Sequence, residues 1–490
     1  MMKKCFLFGL LFFFVSFLKA EKTGKDYLIV AGLTVKENAE WMKVVKALQQ
    51  IHHAHVCYYR DSLKEILPYL QKENPRYVAF VEMPKYINRE YVMELHRLSR
   101  EVDDDPYSDY LWGIITGYDA KEALKLVNNA CEPLVVKSAL STIAELSSAK
   151  WFERYAWMDD HTDGLCGEKW GKNGEVKTYR INPEKESLRK FYDLYEKIDP
   201  DFIVTSGHAT ERNLETPFSH GNIKSKNGIL YAAFPDGKEN LVESGKRRVF
   251  LGAGNCLIGN VRNNSNSMAI AWLGSGNATA MVGYVVTSWY GRSGWGALKY
   301  WISNPGRYSL AEAVFLNEQD MLHQMDVWSR DFNKVNYPYA VHEVLFRKSL
   351  NDAAEVISVG TGINQPTKDQ VGFLYDRDVL AYYGDPKWDV RLQQVVGEQD
   401  YMVDYKMTKK KCTITIRTTK DFDLNRVLGA NFKQEHVKKL PFSCFFPRRL
   451  KNPVLRGEYP WDVAYDENFI LIYNPDFKAN SIYKIVLYTD

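Results

Sequence analysis

The sequence predicts an α/β protein, a parallel sheet flanked by helices, with an all-β sandwich at its C-terminus. Three observations carry this. From Asp26 onward, short apolar runs alternate with stretches whose apolar residues recur at helical spacing. The connections between them are short, as expected where crossover helices cover both faces of a parallel sheet. After about residue 390 the helical stripe gives way to alternation at period two.

In chain order, DYLIVAGL is a buried strand, and Trp41, Val44, Val45, Leu48 and Ile51 form one helix face. AHVCYY is a strand followed by a helix with Leu63, Ile66, Leu67 and Leu70 on one side. RYVAFVEM leads to a helix around Val92, Leu95 and Leu98, and LWGIITG leads to the helix DAKEALKLVNNA. A polar, tryptophan-bearing insertion near 150–182 interrupts the pattern. It resumes with the helix ESLRKFYDLYEKI, the strand DFIVTSG, a hairpin near GILYAAF, the strand RRVFLGAG, the helix SMAIAWLGSG and the strand ATAMVGYVV. CTITIRTT, NFILIYN and SIYKIVLYT then alternate as sandwich strands. The expected organisation is a leader over 1–20, an α/β domain over 21–390 in two halves (about 26–150 and 183–390), and a sandwich over 391–490.

The opening MMKKCFLFGLLFFFVSFLKAEK has a two-lysine start, an apolar centre and a small residue, Ala20, at a cleavage position, which reads as a secretory signal. A secreted or periplasmic protein is expected. The apolar stretch falls short of the roughly 18 residues of a membrane span, and no later segment approaches that length, so no span is expected. A net charge of +3 and the lack of a basic run interleaved with aromatics disfavour nucleic acid. Of seven cysteines, Cys5 lies in the leader and six are scattered, unlike a disulfide scaffold or a zinc site. Cys412 and Cys444 are the pair easiest to bridge. GSGNAT lacks the lysine of a P-loop, and no G-x-S-x-G elbow occurs.

The chemistry on offer is a cysteine and a histidine. DFIVTSGHAT delivers His208 at the end of one strand, and VFLGAGNC delivers Cys256 at the end of another. Ligands of open parallel sheets sit at the carboxyl ends of the strands. Neighbouring strands lie about 5 Å apart, so two such ends would share one crevice. There a thiolate attacks, and an imidazole activates it and then protonates the leaving amine. The N–H groups of Ala209 and Cys256 are candidate donors to an oxyanion, and Gly252, Ala253 and Gly254 leave room for a substrate backbone.

Taken together, DDDPYSDYLWGIITG, IVTSGHAT, FLGAGNCLIGN with its Cys-x-x-Gly, MAIAWLGSGNATAMVGYVVTSW and YYGDPKWDVRL resemble the caspase-like cysteine peptidases, most closely the gingipain type. The separation of His208 and Cys256, 256 − 208 = 48 residues, agrees with the interval of about 50 in caspases. The resemblance covers roughly residues 26–390. It implies a cysteine endopeptidase acting on protein or peptide without a required cofactor. It also implies that Trp289 floors the pocket for the residue before the scissile bond. That residue would be basic, held by one of Asp104, Asp105 and Asp109. Three departures stand out: Ala209 follows the histidine where the family has glycine, ITG stands for the family's IGR, and the His208-to-Cys256 interval is longer than the family's usual one.

Each candidate has a plainer reading. Cys256 fits a small buried hydrophobe, Trp289 a packed aromatic, and the three aspartates a solvated turn or oxygen ligands for a structural calcium ion. His220, in FSHGN, carries the His-Gly pair and is a rival base, although no apolar strand precedes it. The histidines of HHAH and the acids of DDHTDG are weaker metal candidates. From another class, a silent caspase-like binding or adhesion protein would keep the same fold.

Overall fold

The computed structural model describes residues 26–490 except 150, 340–345, 395–399, 430, 431, 433, 435, 436 and 438. The expected leader, residues 1–20, lies outside the described residues. At the centre is a twelve-stranded, mostly parallel sheet. Its order is His55–Tyr59, Tyr27–Gly32, Tyr77–Val81, Leu111–Ile115, Leu380–Tyr383, Ala278–Tyr284, Arg248–Asn255, Phe202–Gly207, Ser138–Ser141, Arg154–Met158, Leu165–Trp170, Lys177–Arg180. The first four strands pair in parallel, as do those from Ala278–Tyr284 through Arg154–Met158. Leu380–Tyr383 joins the halves, running antiparallel to Ala278–Tyr284 and meeting Leu111–Ile115 at Tyr383↔Ile114.

The helices form where the apolar stripe and the caps coincide. Asn38 accepts hydrogen bonds from Glu40 N and Trp41 N to start Ala39–His52, whose Trp41, Val44, Val45 and Leu48 are buried. Asn88 and Asp119 cap Arg89–Ser99 and Ala120–Asn129 in the same way. Pro183 opens Pro183–Ile198, where its missing N–H costs nothing. Ser267 caps Met268–Leu273, a helix too buried to have a polar face. Inner strands such as Tyr27–Gly32, Leu111–Ile115 and Ala278–Tyr284 are fully buried, as expected of parallel strands covered on both sides.

Residues 154–180, expected to stand apart as an insertion, instead extend the central sheet by three strands. The polar residues fit because the outermost of these strands, Lys177–Arg180, is the sheet edge and is largely exposed. The hairpin expected near Ile229 is part of a four-stranded sheet over Asn213–Glu215, Asn222–Lys226, Ile229–Ala233 and Glu239–Val242. Among the described residues no helix is long and apolar enough to cross a membrane.

At the C-terminus two antiparallel sheets enclose a second core. One holds Tyr401–Met407, Lys411–Thr418, Ile482–Tyr488 and Val454–Leu455, and the other Phe442–Phe445, Phe469–Tyr473 and Asp462–Tyr465. Ile414, Ile416, Ile485 and Leu487 from the first meet Phe442, Ile470 and Ile472 from the second. Cys412 and Cys444 share this core but form no disulfide; all six described cysteines are free. Burial pushes the Cys412 thiol up to about 11 and the Cys444 thiol up to about 12.

Candidate active site

Phe202–Gly207 and Arg248–Asn255 are adjacent parallel strands, so the ends carrying His208 and Cys256 are neighbours. Their register is set by an irregularity. Thr205 pairs with Gly252 but Ser206 pairs with Gly254, so Ala253 is an extra residue on the cysteine strand. Gly207 then pairs with Asn255, and the next positions on the two chains are His208 and Cys256. Without the bulge, His208 would stand opposite Asn255, and Cys256, one residue further on, would point to the other face of the sheet.

Beyond the strands each chain turns sharply. Gly207 has φ 125°, a conformation open to glycine alone, and His208 emerges exposed. Ala209 bridges to Leu214, with Thr210 N–H donating to Asn213 O and Glu215 N–H to His208 O, which leaves the Ala209 N–H outside that bridge. On the other chain Leu257 has φ 57°, a strained value for a leucine, and its N–H donates to Val286 O at 2.9 Å. Cys256 is half-buried, and its Sγ lies 4.0 Å from Ser288 O. Trp289 follows, partly exposed, its ring 5.6 Å from that of Tyr375. The Tyr375 hydroxyl donates to Thr287 O at 2.6 Å, which ties down the segment beside Cys256.

The structure therefore brings His208, Ala209, Cys256 and Trp289 to one end of the sheet. It does not bring Asp104, Asp105 or Asp109 there. These precede the strand Leu111–Ile115, and Asp105 and Asp109 lie against the C-terminal sheets, where Asn468 Nδ2 donates to Asp109 O at 3.1 Å. Asp104 is exposed. Asp109 is buried, its Oδ2 has no hydrogen-bond partner, and burial with the charges of Asp103, Asp105 and Asp466 pushes it up to about 9. Burial and Asp466 likewise raise Asp105. Among the described residues no group of three or more His, Cys, Asp or Glu side chains is arranged to hold a metal ion. His220 is exposed in a turn whose N–H donates to Glu184 O at 3.3 Å, on the first turn of Pro183–Ile198.

One carboxyl, Glu145, was missed, and another, Asp160, was read only as part of a metal candidate in DDHTDG. Ser138–Ser141 is the other neighbour of the histidine strand, and Glu145 follows it; Asp160 follows the next strand, Arg154–Met158. Asp160 Oδ1 accepts from Ala144 N at 3.0 Å, and Gln434 Nε2 donates to Glu145 Oε1 at 3.4 Å. Burial raises both carboxyls. The signal that would have found Glu145 is the strand SALS just before TIAEL, legible only once it is known to lie beside the histidine strand.

Fold and strand ends define an α/β protein with a cysteine and a histidine at neighbouring carboxyl ends of its sheet. No family model and no curated protein matches the chain. Among solved structures it is similar to a protease, at 12% identity and TM-score 0.39, with 80% of this chain and 84% of the other covered. It is also similar to the Arg-specific cysteine proteinase gingipain R, at 10% identity and TM-score 0.38, covering 96% and 93%. A complex of the Porphyromonas gingivalis gingipain pro- and mature domains matches at 10% and 0.38, covering 95% and 93%. These are distant likenesses of fold.

Proposed function

We propose that the protein is an exported cysteine endopeptidase in which Cys256 attacks the scissile carbonyl and His208 serves as base and then acid. One observation carries the reading: the Ala253 bulge aligns two parallel strands so that His208 and Cys256 follow directly on the paired residues Gly207 and Asn255. Both groups emerge where substrate can reach them, His208 exposed and Cys256 half-buried. The thiol gives its proton to the imidazole, sulfur bonds to the carbonyl carbon, and the imidazolium protonates the departing amine; water then releases the acyl group. The Ala209 and Cys256 N–H groups are the proposed oxyanion donors, and Trp289 the proposed pocket wall. A basic preference is not part of the proposal, because the aspartates that would supply it pack elsewhere.

The test is hydrolysis of a mixed peptide library by wild type, Cys256→Ala, His208→Ala and His220→Ala. The first two substitutions are expected to abolish cleavage almost equally, since members of one catalytic unit are not additive, and His220→Ala to leave it intact. Equal turnover by wild type and Cys256→Ala would refute the proposal. Absence of turnover in wild type would instead favour the second reading, a silent binding protein presenting its C-terminal sheets.

A further inference from the structure

The residue before the cysteine is fully buried and polar. Asn255 is 0% exposed, yet it sits in a strand whose other buried side chains are mainly apolar. Its amide is used at both ends. Thr205 Oγ1 donates to Asn255 Oδ1 at 2.6 Å, and Asn255 Nδ2 donates to Gly207 O at 3.1 Å. The orientation is determined by the partners: turned over, the amide would set its oxygen against the Gly207 carbonyl oxygen. Both partners belong to the histidine strand. Gly207 O is the carbonyl of the peptide that carries His208, and Asn255 itself carries Cys256. One side chain thus links the peptide preceding the histidine to the residue preceding the cysteine.

The link lies where the backbone is least able to hold itself. The register shifts between Thr205 and Ser206, and Gly207 is in a conformation with little intrinsic preference for one geometry. On the opposite side of the histidine strand, Ser206 N–H donates to Thr142 Oγ1 at 3.2 Å and the Thr142 hydroxyl to Ser206 O at 3.4 Å. The histidine strand is therefore braced from both neighbours within two residues of His208. The Asn255 brace alone reaches the chain that bears the thiol.

We propose that Asn255 is a positioning residue, fixing the Gly207–His208 peptide relative to Cys256 so that imidazole and thiol meet. It touches neither substrate nor reacting atoms, and the inference rests on the Cys256 and His208 reading above. A buried amide satisfied at both ends holds a unique geometry, whereas a carboxylate of the same shape has no N–H to give Gly207 O.

The experiment compares wild type, His208→Ala, Asn255→Asp and Thr205→Val. It follows the rate of Cys256 alkylation by iodoacetamide from pH 5.5 to 9, mapped by peptide mass spectrometry, beside kcat and KM on a cleaved peptide. In wild type the alkylation profile is expected to depend on His208. In Asn255→Asp, and to a smaller extent in Thr205→Val, Cys256 alkylation near pH 6.5 falls about tenfold toward the His208→Ala rate, and kcat falls while KM stays within about twofold. If Asn255→Asp does not fold, Thr205→Val, which keeps the amide and removes only one donor, decides. A folded variant that alkylates and turns over like wild type overturns the Asn255 assignment and leaves the Cys256 and His208 pair standing. A wild-type profile indifferent to His208→Ala overturns the pair, and the Asn255 assignment with it.

Discussion

Asn255 and Leu257 constrain Cys256 from its two sides, one through a buried amide bonded to the histidine strand, the other through a left-handed backbone bonded to Val286. The cysteine side chain contributes little to packing there, being half-buried, and His208 contributes less, being exposed. Cys256→Ala and His208→Ala should therefore change Tm by no more than a few degrees, measured by differential scanning calorimetry, while removing activity. A large loss of stability in either would mean that the side chain is part of the scaffold. The placement of Cys256 and His208 at strand ends was legible in the sequence because each follows an apolar run. Asn255 was not, because its role exists only between two strands 48 residues apart.

At the scale of elements, the turn after Cys256 is held by close backbone approach. A Cβ on Gly259 would lie 2.3 Å from Gly283 O, on the strand next to the cysteine strand, and the Gly259 N–H donates to Tyr284 O at 2.9 Å. Neither backbone has room to give, so Gly259→Ala should cost about 1–3 kcal/mol in a denaturant titration and lower activity beyond that loss. Gly245→Ala, where nothing lies within 4 Å of the added carbon, is the control expected to do neither. Equal effects would show that the turn tolerates a methyl group and does not set the position of Cys256. The order of apolar runs made the alternation of strands and helices readable, since burial on both faces leaves continuous Val, Ile and Leu. Strand order was not readable: Leu380–Tyr383 enters between the two halves, and Ser138–Ser141 lies beside the histidine strand, through pairings remote in sequence. The Ala253 bulge was equally hidden, because nothing in GAGN says which residue is left unpaired.

For the molecule as a whole, the acids around Asp109 lie where the α/β unit meets the C-terminal sheets. Asp103, Asp105, Asp109, Asp466 and Glu467 face one another there, with Arg449 as a nearby cation. Burial, then mutual repulsion, holds Asp109 up at about 9, and burial raises Asp105 and Asp466 in the same direction. The unfolded chain loses these protons near pH 4, the folded one only at higher pH. Stability contributed below pH 4 is therefore lost as pH rises toward about 9. Asp109→Asn should flatten that decline, raising Tm at pH 8 with little change at pH 4.5; an unchanged slope would show that Asp109 ionises freely. These acids were misassigned to the substrate pocket although the sequence held the correction, since DDDPYSDY precedes its strand and the crevice lies at carboxyl ends.

The most direct test of the central claim is mass-spectrometric mapping of an irreversible thiol probe on the protein, with and without competing peptide, in wild type and His208→Ala. The account predicts rapid labelling at Cys256 above all other cysteines, slowed by peptide and largely lost in His208→Ala. Labelling spread over exposed cysteines such as Cys131, insensitive to peptide and to His208, would contradict it.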